Sequence, residues 1–169
     1  EMPLESKPIP AMVARLASFL ERQKLVIATA ESCTGGGIAE ALTARAGSSA
    51  WFDSGFVTYS NAAKQRMLSV APEHFQEGGV GAVSREVVLE MSCGAVERSN
   101  AQAAVAVSGV AGPGGGSEAK PVGTVWIGWC VNGEATAERF QFTGDREAVR
   151  LATIERALEG LIRRLEVQS

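Results

Sequence analysis

A single histidine, His74, serves the whole chain, and that scarcity narrows the chemistry at once. A Ser-His-Asp triad needs a firmly held imidazole. His74 lies in the loop-like stretch APEHFQEGG, where nothing visibly holds it, so it reads as a surface histidine. Cysteine is nearly as sparse. Cys33, Cys93 and Cys130 are odd in number, far apart and without a CxxC pair. That argues against a disulfide framework or a zinc cluster and points to the reducing cytosol. Long apolar runs are missing too: the longest, VGTVWIGWCV, is about half of the roughly 20 residues a spanning helix needs. No block of like charge stands out, and a net charge of -3 argues against a groove that works by neutralising phosphates. The amino end, EMPLESKPIP, has acids and prolines where a secretion signal has a basic start and an apolar core. Residues 1–9 are therefore expected to be a flexible leader, and 10–169 one domain.

What is present fits a soluble globular protein: 46% of residues are hydrophobic and 21% charged, enough to bury a core. The patterns alternate in kind along the chain. MVARLASFLERQ has helical spacing and predicts a helix over 10–23, and KLVIATA reads as a buried strand. A second helix follows the glycines at 35–37 and is expected to stop near Gly47. WFDSGFVTYS is a strand, and NAAKQRMLSV a short helix with Asn61 as its cap. SREVVLEMSCGAVER is a helix capped by Ser84, and AQAAVAVSG a buried strand that runs into the glycine-rich VAGPGGGSEAKP. Asn132-Gly133 between two β-like runs predicts a hairpin. Asp145 caps a last helix over 146–166. This order of strands and helices implies an α/β fold with a central sheet covered on both faces, and the hairpin makes that sheet mixed.

The stretch TAESCTGGGIAEAL places Glu31, Ser32 and Cys33 where a strand turns sharply into a helix. Ligands of open α/β sheets bind at that edge, and a helix start points unpaired N–H groups at them. The turn can therefore supply a nucleophile and an anion hole together. It can equally be a capped, tightly packed helix start with no chemistry. A serine needs a base. Lys64, on the first turn of the helix beginning at Asn61, is the candidate, because a helix N-terminus and partial burial both favour the neutral amine. A solvated surface lysine is the alternative. Arg146 is a fork for a carboxylate or phosphate, or else a surface ion pair. The loop SGVAGPGGGSE lacks the GK[ST] ending of a P-loop, which weakens any ATPase reading.

AESCTGG, GSSAWFDSGFVTYSNAAK, GAVS, SGVAGPGGGSEAKPVGTVW and GDR, taken together and in register, resemble the CinA C-terminal domain family from about residue 10 onward. The resemblance is to the stand-alone form rather than the fused two-domain form. Position 114 is Gly where some relatives have Asp. The resemblance implies a three-layer α/β/α sandwich. It implies hydrolysis of the carboxamide of nicotinamide mononucleotide to nicotinate mononucleotide and ammonia, in pyridine-nucleotide salvage in the bacterial cytoplasm. It further implies a homodimer with no metal or cofactor, whose partner is a small nucleotide substrate and neither nucleic acid nor membrane.

The family's serine-lysine mechanism falls here on Ser32 and Lys64. Tyr59 is then expected to orient Lys64 or hold the pyridine ring. N–H groups around Thr34, Gly35 and Gly36 are expected to receive the oxyanion. The loop with Ser108, Gly109, Gly112 and Gly115, together with Arg146, is expected to hold the ribose phosphate, and Ser48 to line the same pocket. Glu31 is expected to orient Lys64, bind a ribose hydroxyl or pair with a surface base. Cys33 is the rival nucleophile, because Cys-Lys-Glu is also an amidase arrangement. The competing functions are a non-catalytic nucleotide-binding or regulatory module, and an amidase for another substrate.

Overall fold

The structure, a computed structural model, describes residues 8–167. Most of the expected leader, residues 1–7, lies outside the described residues; Pro8 precedes the first helix and Ile9 begins it. In chain order the elements are α1 (Ile9–Gln23), β1 (Ile27–Glu31), α2 (Gly37–Thr43), β2 (Phe52–Val57), α3 (Asn61–Leu68), α4 (Arg85–Glu97), β3 (Ala103–Gly109), β4 (Thr124–Val131), β5 (Glu134–Gln141) and α5 (Arg146–Val167). The sheet order is β2-β1-β3-β4-β5. The first three of these strands are parallel, while β4 and β5 run antiparallel, joined through Asn132 and Gly133, both at positive φ. The sheet is mixed, as the hairpin signal requires.

Period-two alternation splits the core between the two faces of the sheet. In β3, Ala103, Val105 and Val107 join the cluster formed with α1, α2 and α5, built on Leu16, Leu20, Ile38, Leu42, Leu158 and Leu161. Ala104 and Ala106 point the other way, with Ala28 and Ala30 of β1, into a cluster with Leu68 of α3 and Val87, Val88 and Met91 of α4. The α4 side is faced with small residues because the helix comes very close. A Cβ on Gly128 would lie 2.6 Å from the Val88 carbonyl oxygen. Two faces each covered by helices give the three-layer α/β arrangement.

Local signals hold with two shifts. Ser84 and Asp145 cap α4 and α5, their side chains accepting from Val87 N–H at 3.3 Å and Ala148 N–H at 2.9 Å. Ser60, not Asn61, caps α3, accepting from Ala63 N–H at 3.0 Å; Asn61 is already helical. The second helix ends at Thr43 rather than near Gly47. Residues 44–46 are exposed and bring no apolar side chain to the core, so the helix has no reason to continue.

The order of connections positions the site. From β1 the chain crosses to β2 by way of α2 on one face, then returns from β2 to β3 by way of α3 and α4 on the other. The carboxyl ends of β1 and β3 therefore flank the point where the connections diverge, which is where a crevice opens in such sheets.

Candidate active site

Ser32 is the first residue beyond β1, and its N–H donates to Val107 O of β3 at 3.1 Å. The turn closes on itself: Gly35 N–H donates to Ser32 O and Gly37 N–H to Thr34 O, each at 3.0 Å. Gly35 and Gly36 sit at φ 59° and 102°, and the second of these is a conformation that favours glycine. Ser32 is 8% exposed, so the hydroxyl is nearly buried rather than on open surface.

Lys64 meets it there. α3 packs on the α4 side of the sheet, and Lys64, in its first turn, is 1% exposed. Its Nζ lies 3.0 Å from Ser32 Oγ, 2.8 Å from Thr58 O and 3.0 Å from Tyr59 O. No carboxylate forms an ion pair with it among the described residues. Burial without a counter-charge penalises the ammonium, and the Lys64 pKa is lowered from its ordinary value to about 8, with a small opposing contribution from Cys33. The geometry suits the neutral form. An amine with two hydrogens donates to the two carbonyls, and its lone pair is left facing the Ser32 hydroxyl.

Glu31 does not orient Lys64. It has the parity of Ile27, so it leaves β1 on the α2 face, away from α3. Its carboxylate accepts from Thr34 Oγ1 at 2.5 Å, Ile38 N–H at 2.8 Å and Ala39 N–H at 3.0 Å. These are donors of the α2 start, so the fully buried carboxylate fixes the turn and offsets its own desolvation. Both oxygens are engaged within the protein and the side chain is fully buried, so it pairs with no surface base among the described residues.

Cys33, the other candidate nucleophile, belongs to the hydrophobic cluster beneath α1, α2 and α5 and is 5% exposed. Its thiol is pushed up to about 11, chiefly by burial, which keeps it protonated and poorly nucleophilic at neutral pH.

The expected oxyanion donors divide. Gly35 N–H is already used inside the turn, whereas the N–H groups of Thr34 and Gly36 have no protein acceptor among the described residues. A residue the sequence reading passed over stands behind them. Arg150 of α5 donates from Nε to Cys33 O at 3.2 Å and from Nη2 to Thr34 O at 3.1 Å. The available signal was its spacing of four from Arg146, which puts both on one face of α5.

Arg146, Tyr59 and the glycine-rich loop also converge. Arg146 donates from Nη1 to Gly112 O at 2.8 Å and from Nη2 to Tyr59 Oη at 3.2 Å. A cleft of about 640 Å³ opens beside them, lined by Ala111, Pro113, Val122, Gly144, Asp145, Arg146, Glu147 and Arg150. Ser108, 2% exposed, is the next-to-last residue of β3, level with Ser32, and Gly109 ends the strand; Gly112 is buried and Gly115 lies in the exposed part of the loop. Tyr59 thus serves Lys64 by its backbone carbonyl and Arg146 by its hydroxyl.

One expectation fails. Ser48 does not line this crevice within the chain. It precedes β2 and so lies beside the start of β1, where Ile27 N–H meets Trp51 O, while Ser32 follows the end of β1. Parallel strands put their beginnings at the opposite edge from their ends. His74 is half-buried near the surface: its Nε2 pairs with Glu90 of α4, whose other oxygen accepts from Ala71 N–H, so the pair pins the loop after α3. Among the described residues there is no cluster of metal-ligating side chains, and no helix is long and apolar enough to cross a membrane.

These features define a class: a mixed α/β domain with a serine hydroxyl and a buried, uncompensated lysine in contact at the carboxyl edge of its parallel strands. The chain belongs to the CinA C-terminal domain family, which matches residues 10–165. It is 58% identical over 155 residues to nicotinamide-nucleotide amidohydrolase PncC of Pseudomonas putida, spanning 92% of this chain and 96% of that protein. Among solved structures it resembles the competence/damage inducible protein CihA of Agrobacterium tumefaciens, with TM-score 0.89, 47% identity and 98% and 99% of the two chains covered. It likewise resembles the CinA superfamily protein KP700603 of Klebsiella pneumoniae, with TM-score 0.90, 39% identity and 95% and 99% covered.

Proposed function

We propose that the protein hydrolyses the carboxamide of nicotinamide mononucleotide to nicotinate mononucleotide and ammonia, with Ser32 as nucleophile and Lys64 as its base. The observation that carries this reading is the 3.0 Å contact between Ser32 Oγ and a lysine with no counter-ion among the described residues and a lowered pKa. The high identity to a nicotinamide-nucleotide amidohydrolase over nearly the whole chain supports the substrate. A nucleotide-binding module has no use for an amine kept partly neutral beside a hydroxyl, and an amidase does.

The steps follow from the geometry. Neutral Lys64 takes the proton of Ser32 Oγ as that oxygen attacks the carboxamide carbon. Thr34 and Gly36 N–H groups receive the oxyanion of the tetrahedral intermediate; one such donor lowers the barrier by about 3 kcal/mol. Lys64 then gives its proton to the departing nitrogen, and ammonia leaves. Water repeats the sequence on the acyl-enzyme, and Ser32 regains its proton as nicotinate mononucleotide is released. Arg146 and the Ser108–Gly115 segment hold the ribose phosphate at the mouth of the 640 Å³ cleft. The reading carries a single domain working as a cytoplasmic homodimer without cofactor, in pyridine-nucleotide salvage.

Ammonia release from nicotinamide mononucleotide, compared with free nicotinamide and the dinucleotide, tests it. Wild type is expected to turn over the mononucleotide in preference to both. Ser32→Ala is expected to abolish turnover, while Cys33→Ala keeps it within about threefold, since substitutions that spare the reacting groups cost little barrier. No ammonia from wild type at high enzyme concentration, or a dead Cys33→Ala beside an active Ser32→Ala, overturns the proposal.

A further inference from the structure

Arg150 touches no reacting atom, yet it holds the turn on which the chemistry depends. Its guanidinium grips two successive carbonyls, Cys33 O and Thr34 O, with two donors of one rigid plane. Each carbonyl belongs to a peptide unit whose N–H lies in the turn. The Cys33 carbonyl shares its unit with Thr34 N–H, an amide of the turn with no protein acceptor among the described residues. A cation on the carbonyl end of a conjugated amide draws density toward oxygen and makes the N–H a stronger donor. The Thr34 carbonyl shares its unit with Gly35 N–H, which closes the turn onto Ser32 O, and itself accepts from Gly37 N–H. The same guanidinium thus polarises one amide and stiffens the next.

Two further observations single this residue out. A Cβ on Gly35 would stand 3.4 Å from Arg150 Nη2, so glycine at that position leaves room for the head group. A Cβ on Gly37 would lie 2.8 Å from Ile154 Cδ1, one helical turn beyond Arg150. α5 is therefore seated directly on the turn, and Arg150 is its polar contact there. Arg150 forms no ion pair with a carboxylate among the described residues, so its field is not cancelled locally.

We infer that Arg150 is a positioning residue for acyl transfer at Ser32: by holding the Cys33 and Thr34 carbonyls, it fixes and polarises the Thr34 N–H that receives the oxyanion. The inference rests on the serine nucleophile proposed above and not on the identity of the substrate. Its test therefore uses two readouts, steady-state hydrolysis of nicotinamide mononucleotide and the rate at which a fluorophosphonate labels Ser32. In that labelling Ser32 Oγ forms a bond to phosphorus, fluoride leaves, Lys64 takes the hydroxyl proton, and the phosphoryl oxygen occupies the oxyanion position.

Arg150→Gln and Arg150→Lys are compared with wild type, with thermal unfolding as a control. For Arg150→Gln, kcat and the labelling rate are expected to fall together by about tenfold to fiftyfold, part of the hundred- to thousandfold lost with a whole oxyanion donor. KM stays within about twofold, because a contact strengthened only in the transition state moves kcat. The acid limb of the pH-rate profile stays in place, because Lys64 keeps its surroundings. Arg150→Lys is expected to fall between the two. Unchanged kcat and labelling in Arg150→Gln overturn the inference. So does a loss accompanied by a displaced acid limb or by a matching loss of folded protein, which would mark a purely structural role. If wild type does not hydrolyse the mononucleotide but Ser32 labelling still falls in Arg150→Gln, the substrate reading fails and the role of Arg150 stands.

Discussion

Lys64 and Arg146 are two cations linked through Tyr59, and the protein treats them in opposite ways. Lys64 is buried, surrounded by a hydroxyl and two carbonyls, and given no negative partner. Arg146 is exposed beside the cleft, held by a loop carbonyl and a phenol. The inner position destabilises charge and the outer one preserves it. This suits a base that must lose its proton and an anchor that must attract a phosphate. On the proposed reading, bond breaking and holding are separated by depth, and the contrast can be attacked from either side.

The largest effect is expected at the inner cation. Lys64→Met removes the base and should lower kcat by at least about a thousandfold, the upper part of the range for general-base groups. Lys64→Arg should be equally inactive, since it restores charge but not a neutral form. In wild type the rate should rise with pH and level off above about 8, where Lys64 becomes neutral. Stability should also gain as pH rises, though over a higher window than activity. A lysine whose folded pKa lies below its unfolded one binds fewer protons when folded, so its burial is costly at low pH and the cost fades as pH rises from about 8 toward 10.5. At pH 7 that cost is about 3 kcal/mol at most, and lost hydrogen bonds to Thr58 O and Tyr59 O take back part of any gain. Lys64→Met should therefore melt no lower than wild type at pH 7, and relatively lower above pH 10. Unfolding curves at the two pH values, set beside the rates, decide this. A variant that is active, or one markedly less stable at pH 7, breaks the contrast.

How much of this was readable beforehand follows the same division. Period and punctuation placed every strand and helix in order, because burial of alternate residues in β3 and of helical stripes in α1 and α5 leaves a direct imprint on residue type. The serine at the strand-to-helix turn, Lys64 and Arg146 could be singled out as candidates from the residues, with plain alternatives open, and the resemblance supplied their roles. The sequence could not show which side of the sheet Glu31 takes relative to Lys64, nor that the acceptors beside Lys64 are main-chain carbonyls. A carbonyl is present at every residue and marks no letter. Ser48 was misplaced because its distance from Ser32 depends on strand direction, which is a property of the assembled sheet. Arg150 was overlooked because its partners are again backbone oxygens.

At the outer cation, Arg146→Ala is expected to raise KM for nicotinamide mononucleotide by about tenfold to a hundredfold, the worth of one hydrogen bond to a charged group. Turnover at saturation should stay within about threefold. The comparison substrate is the dephosphorylated nucleoside. If Arg146 holds the phosphate, wild type and Arg146→Ala should handle the nucleoside almost alike. A fall in kcat with unchanged KM would move Arg146 into the chemistry and erase the separation by depth.

The smallest effect is expected where the two regions meet. Tyr59 lends its carbonyl to Lys64 and its hydroxyl to Arg146, so one residue serves both depths through different atoms. Tyr59→Phe keeps the carbonyl and deletes the hydroxyl. The side chain is 62% exposed and water can replace its hydrogen bond, so the loss should sit at the low end for a neutral pair, about 0.5 kcal/mol. KM should rise about two- to threefold, and the acid limb near pH 8 should not move, because every acceptor around Lys64 remains in place. A tenfold or greater fall in kcat would mean that the hydroxyl itself reaches the reacting carboxamide, and that the phenol, not the backbone beside it, is what this tyrosine contributes to the chemistry.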